Sequence, residues 1–194
     1  MRLDPSVECL GAEGADGPPA WNPDGVNETP LRTILSTDIV GSTDAANRLG
    51  DETAMAMVRA HNGIVRDQLA VFSGREVKHT GDGIMASFES VTRAIECAMT
   101  IQQGLREHNL DPDVHAVHVR IGLAAGEPIT EDDDLFGAAV NLAARICNAA
   151  EPGSVYVSNV VRELAIGKPY EFEEVADLTL KGFPESVRAA RVVA

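Results

Sequence analysis

Two strand-like runs, residues 75–79 and 84–88, are joined by Thr80-Gly81-Asp82-Gly83. An Asp-Gly step between such runs signals a hairpin, because these residues tolerate the positive φ that tight turns demand. The flanking pattern narrows the fold further. Residues 31–40 read as a buried strand, and residues 51–72 as a helix with Val58, Ile64, Val65, Leu69 and Phe72 on its inner side. Beyond the hairpin, Ser90 can cap a helix in which Ala94, Ala98, Ile101 and Leu105 recur at steps of four and three. Val117, Val119, Ile121 and Leu123 then alternate with His118, Arg120 and Gly122, the period of a half-buried strand. The order β-α-β-β-α-β predicts an α+β fold with a ferredoxin-like split βαβ core, an antiparallel-containing sheet with helices on one face.

The remainder extends that core with additional C-terminal helices and strands. A loop at residues 126–134 leads to a helix over 137–149, a strand over 154–157, a short helix over 160–166 and two final strands over 171–175 and 187–192. Residues 1–30 hold Gly11, Gly14, Gly17, Pro18, Pro19, Pro23, Gly25 and Pro30 among acidic residues, too few periodic apolar positions to pack, and read as a flexible leader or linker. One domain over 31–194 is the economical organisation, and 44% hydrophobic residues in a 194-residue chain suffice for one core. A net charge of −14 repels polyphosphate backbones and anionic membrane, so neither nucleic acid nor a membrane surface is an expected partner. Cys9, Cys97 and Cys147 lack metal-ligand spacing and suit free thiols in a reducing cytoplasm, the last two as helix core residues. No apolar run approaches the roughly 20 residues that span a bilayer.

Three segments carry chemistry: Thr37-Asp38-Ile39-Val40-Gly41-Ser42-Thr43, Lys78-His79-Thr80-Gly81-Asp82-Gly83, and Asp134-Leu135-Phe136-Gly137-Ala138-Ala139-Val140-Asn141 running on to Arg145. Asp38 leaves the first strand and Asp82 tips the hairpin, which are neighbours in a split βαβ sheet. Their carboxylates, with a carbonyl such as that of Ile39, can hold hard cations bridging a triphosphate and acidify an attacking hydroxyl. Gly41, Ser42 and Thr43, ahead of a helix, can offer N–H groups to phosphate oxygens. Lys78 and Asp134 form a donor and acceptor pair that complements N1 and N6 of adenine, whereas guanine reverses both functions; the expected substrate is ATP. Asn141 and Arg145, four apart on one helix face, suit a ribose oxygen and the charge that builds on the α-phosphate. Taken singly, each has a plainer explanation: a strand end, a turn, a surface lysine, a solvated acidic loop, a solvated arginine.

Asp-Ile-Val-Gly-Ser-Thr, Lys-x-x-x-Asp-Gly and Asp-Leu-Phe-Gly-x-x-Val-Asn-x-x-x-Arg together resemble the class III adenylate and guanylate cyclase catalytic domain, over about residues 31–194. The resemblance implies Asp38 and Asp82 as ligands of two divalent cations, Mg²⁺ or Mn²⁺, Lys78 and Asp134 as the adenine-selecting pair, and Asn141 and Arg145 as transition-state residues. Lys181, in Leu180-Lys181-Gly182-Phe183, resembles a late lysine that approaches the triphosphate. The family also implies sites shared across a homodimer, and attack of the ribose 3′-hydroxyl on the α-phosphorus to give cyclic AMP and pyrophosphate. No histidine stands where a general base is needed: His61 and His108 lie on helices, His79 beside the hairpin, His115 and His118 beside a strand. A guanylate cyclase, a silent nucleotide-binding or dimerisation module of the same fold, and an enzyme joining two nucleotides remain alternatives, though no Gly-Gly-Asp/Glu-Glu-Phe segment is present. Regulation is expected from another domain or protein.

Overall fold

The structure is a computed structural model and describes residues 29–175 and 177–193. Cys9 and nearly all of the leader read at residues 1–30 lie outside the described residues. Strand β1 (Arg32–Ile39) pairs antiparallel with β3 (Ile84–Phe88) on one side and with β4 (Val119–Gly126) on the other, and β2 (Arg75–His79) lies outside β3. The order β2-β3-β1-β4 is the split βαβ core that the hairpin and its flanking helices predict. The sheet continues through β7 (Val155–Ser158), parallel to β4, then β9 (Ala189–Val193) and β8 (Glu171–Glu174), both antiparallel.

Both faces of this sheet are covered. Helices α2 (Asp51–Val71) and α3 (Val91–His108) bury Leu35, Ile39, Ile84, Phe88, Ile121 and Leu123, while α4 (Ala138–Ala149) covers Ile34, Met85 and Ala124 from the other side. The expectation of helices on one face alone is corrected by β1, whose successive residues Ile34 and Leu35 are both 0% exposed. A strand apolar on both sides needs a layer on each. Gly122 lets α4 rest directly on β4, since a Cβ there would lie 2.3 Å from Cys147 N and 2.5 Å from Ala143 O.

Ser90 caps α3 as read, its hydroxyl accepting the Arg93 N–H. Cys97 and Cys147 are buried on α3 and α4, as expected. Two elements differ from the sequence reading. An eight-residue helix, α1 (Ser42–Leu49), precedes α2; it buries no residue, so it carries no apolar stripe to betray it. The loop read over 126–134 instead contains a hairpin of β5 (Ile129–Glu131) and β6 (Asp134–Phe136). Its two-residue turn places Asp132 and Asp133 at φ of 49° and 64°, the left-handed geometry that suits the right-handed twist of a hairpin. A short helix, α5 (Asn159–Leu164), links β7 to the C-terminal strands.

Candidate active site

At the exit of β1, Asp38 stands opposite Arg120 of β4 in the antiparallel register. Arg120 Nη2 donates to Asp38 Oδ2 at 2.5 Å and Nη1 donates to the carbonyl of Asn148, near the end of α4, at 3.1 Å. The Nε–H of Arg120 is buried and has no partner among the described residues.

The turn between β2 and β3 folds against the same strand end. Ile39 N–H donates to the carbonyl of Asp82 at 3.2 Å. A Cβ at Gly83 would fall 2.0 Å from the carbonyl oxygen of Thr37, so only glycine lets the turn approach this closely. Gly41, at φ 69°, turns the chain into α1, and Ser42 Oγ then donates to Asp82 Oδ2. Asp38, Ile39, Ser42, Asp82 and Arg120 therefore share one edge of the sheet. The Ser42 hydroxyl is committed to Asp82, while Gly41 and Thr43 frame the start of α1.

Lys78 and Asp134 form a second centre. Lys78 Nζ donates to Asp134 Oδ2 at 2.6 Å, and Leu135 N–H donates to Oδ1 at 2.7 Å. The Lys78 hydrogen bond foremost, then that amide, hold the Asp134 carboxyl below the usual carboxylate range. Lys78 keeps two further N–H donors and Asp134 Oδ2 a further lone pair, so the pair retains capacity for a base edge. Phe136 lies beside it, its ring centroid 5.4 Å from Lys78 Nζ. Phe136 and its cross-strand partner Ile129 are 45% and 60% exposed.

The remaining residues stand apart. Asn141 is exposed and Arg145 half-buried on α4, whose inner side is made by Ala143, Ile146 and Cys147; neither has a side-chain hydrogen bond or ion pair among the described residues. Lys181 is exposed in the turn after Leu180, which packs with Ile146 of α4 and with Ala150 just past its end. Among the described residues, no hydrogen bond or ion pair joins the Asp38–Asp82 edge to the Lys78–Asp134 pair. A cavity of about 430 Å³ lined by Arg32, Arg75 and Arg93 lies toward the start of β1, away from Asp38.

Two residues escaped sequence reasoning. Arg120 reads as one polar position of an alternating strand, and its place opposite Asp38 emerges only from the register. His61 reads only as a residue on a helix, outside the inner side assigned to it, and is 0% exposed. Its signal was present: Met57, His61, Val65 and Leu69 follow at strict steps of four, and all four are buried.

The split βαβ sheet thus carries two separate centres, the Asp38–Asp82 edge and the Lys78–Asp134 pair. Residues 27–191 match the family model described as adenylate and guanylate cyclase catalytic domain, and the chain belongs to that family. It is 35% identical over 139 residues, 71% of this chain, to a Rhizobium meliloti protein provisionally named adenylate cyclase 3, and spans 24% of that relative's length. A crystal structure of an adenylate/guanylate cyclase/hydrolase from Silicibacter pomeroyi superposes with a TM-score of 0.73 at 28% identity, covering 84% of this chain and 96% of that one. A guanylyl cyclase structure superposes with a TM-score of 0.75 at 25% identity, covering 84% and 91%. Among the described residues, no helix is long and apolar enough to cross a membrane.

Proposed function

We propose that residues 31–194 act as an adenylate cyclase, converting ATP to 3′,5′-cyclic AMP and pyrophosphate at sites shared by two copies of the chain. The observation that carries this reading is the Lys78–Asp134 pair, partnered at 2.6 Å and separate from the acidic edge. Relatives with either nucleotide in their names share this fold, so base preference rests on those two side chains. Lys78 donates to adenine N1 and Asp134 accepts from N6; guanine would set donor against donor and acceptor against acceptor, leaving buried polar groups unpaired.

The donor set at the other centre fits hard divalent cations. Asp38, Asp82 and the Ile39 carbonyl are all oxygen ligands, and a cation bound to Asp38 Oδ2 would take the place now held by the Arg120 guanidinium. Two Mg²⁺ or Mn²⁺ ions held there would acidify the ribose 3′-hydroxyl and neutralise the triphosphate. Asn141 orients the ribose and Arg145 meets charge on the α-phosphate as the bond to pyrophosphate breaks. The groups at the start of α1, and Lys181, contact the triphosphate.

Sharing between copies is supported by the dispersal of these groups in one chain: Asn141 and Arg145 face outward on α4, and the hairpin bearing Asp134 exposes Ile129 and Phe136. A second chain would cover those apolar side chains while bringing its own acidic edge to the base, ribose and phosphate groups. Cytoplasmic ATP is the substrate, and control comes from a further domain or protein. The test is product analysis with ATP and with GTP over a range of protein concentrations. Cyclic AMP formed with specific activity that rises on concentration supports the reading; cyclic GTP as the main product removes it.

A further inference from the structure

One buried polar side chain serves neither centre directly and yet links the segments that build the acidic edge. His61 sits on the buried face of α2 at 0% exposure, among Met57, Val65 and Leu69. Its Nε2 lies 3.0 Å from Thr37 Oγ1, and its Nδ1 lies 2.9 Å from Asn62 Oδ1. An amide oxygen only accepts, so Nδ1 carries the ring proton and Nε2 accepts the proton of the Thr37 hydroxyl. Thr37 Oγ1 in turn accepts the Ile84 N–H at 2.9 Å, just beyond the turn that carries Asp82. Asn62 reaches the other side of that turn. Its Nδ2 and Oδ1 lie 2.9 Å and 3.2 Å from His79 Nε2; because His79 Nδ1 accepts the Gly81 N–H at 3.2 Å, Nε2 carries the proton of the neutral ring and donates to Oδ1.

Thr37 immediately precedes Asp38, and Gly81 and Ile84 bracket Asp82. The relay thus grips the main chain on both sides of Asp82 and beside Asp38, from beneath the sheet. We propose that His61 is a positioning residue: through Thr37 and Asn62 it fixes the β1 exit against the hairpin turn, and so sets the separation of the two carboxylates that receive divalent metal. This rests on the reading of Asp38 and Asp82 as metal ligands. A histidine serves better here than an apolar residue because the Thr37 hydroxyl, already accepting from Ile84, needs an acceptor for its own proton. The alternative acceptor, the Ile84 carbonyl, is 3.4 Å away, too far to hold it well.

The test uses the full chain with Mn²⁺ and a non-cyclisable ATP analogue, reading Mn²⁺ affinity by electron paramagnetic resonance alongside cyclase activity against Mn²⁺ concentration. His61→Leu should weaken Mn²⁺ binding about tenfold, as loss of an outer-shell support commonly does, with the ratio of ATP to GTP turnover unchanged. His61→Gln, whose amide can accept from Thr37, should recover part of the loss. Thr37→Val covers the case in which His61→Leu does not fold, and should weaken Mn²⁺ binding in the same way. Where both fold, His61→Leu/Thr37→Val should be no worse than the weaker single variant, because both remove one bond. Wild-type protein binding Mn²⁺ while the folded variants bind it equally well overturns the inference alone. Variants with lower thermal stability but unchanged Mn²⁺ affinity do the same. Wild-type protein that binds no Mn²⁺ overturns the metal reading, and the inference with it.

Discussion

Gly83→Ala tests how the acidic edge is assembled. The added methyl would lie 2.0 Å from the Thr37 carbonyl oxygen and 3.0 Å from both the Thr37 carbonyl carbon and Thr80 Oγ1. Two of these three are main-chain atoms of the central strand, so no side-chain rotation relieves the clash. Restoring ordinary van der Waals separation of about 3.4 Å from the present 2.0 Å requires the turn and β1 to part by about 1.4 Å, and overpacking of this kind costs about 1–3 kcal/mol. For a domain of this size each kcal/mol lowers the melting temperature by about 2–4 °C. The functional loss should be larger than the thermal one. Asp82 rides on the displaced turn and Asp38 on the fixed strand, and about 1 Å of misplacement can cost on the order of 100-fold in rate. Gly63→Ala is the control: nothing lies within 4 Å of its added methyl, inside α2, so stability should rise by up to about 1 kcal/mol with activity unchanged. Calorimetry and a cyclic AMP assay at saturating Mn²⁺ report both quantities. Gly83→Ala protein with wild-type melting temperature and wild-type rate would refute the close approach of the turn to β1.

Replacing Lys78 by Glu and Asp134 by Gly should depress ATP turnover and raise relative GTP turnover, read as the ratio of cyclic AMP to cyclic GTP; an unchanged ratio would detach this pair from base choice. His61 has its pKa lowered, chiefly by burial, so below pH 6.5 the unfolded chain takes up a proton before the folded one does. Stability should therefore fall as pH drops through that window, by at most about 1.4 kcal/mol per pH unit, and His61→Gln should flatten the slope in urea titrations between pH 6.5 and 5. Burial pushes the thiols of Cys97 and Cys147 up to about 12. Neither should react with an aromatic disulfide reagent at pH 8 until the chain is unfolded; rapid labelling of the native protein would contradict their packing.

The parts legible in the sequence were those whose signal is local. The Asp-Gly turn, the Ser90 cap and the alternation through Ile121 and Leu123 each report a neighbourhood of a few residues, and each lies where it was read. The strand read from Val117 begins at Val119. Val117 is bonded instead to the side chain of Asn109, through both its N–H and its carbonyl, which imitates a strand partner without being one. Helix α1 was illegible because it packs nothing away, and the β5–β6 hairpin because four consecutive acidic residues resemble a solvated loop. The second layer, α4, was betrayed by the adjacent apolar residues Ile34 and Leu35 of β1 and by Gly122, whose missing side chain has meaning once a helix lies over it. Arg120 and His61 were hidden for a related reason. Their partners Asp38 and Thr37 are 82 and 24 residues away in the chain, and no periodicity specifies which strand end a side chain will face.

In the proposed dimer the acidic edge of one chain serves the base, ribose and phosphate groups of another. Asp38→Ala and Arg145→Ala proteins, each inactive alone, supply the direct measurement when mixed in equal amounts and allowed to exchange. Random pairing makes about half the dimers mixed, each with one intact site of two, so specific activity should return to about a quarter of wild type. Activity that stays at the level of the separate variants after exchange has been verified would show that each site is built within one chain, and would contradict the account.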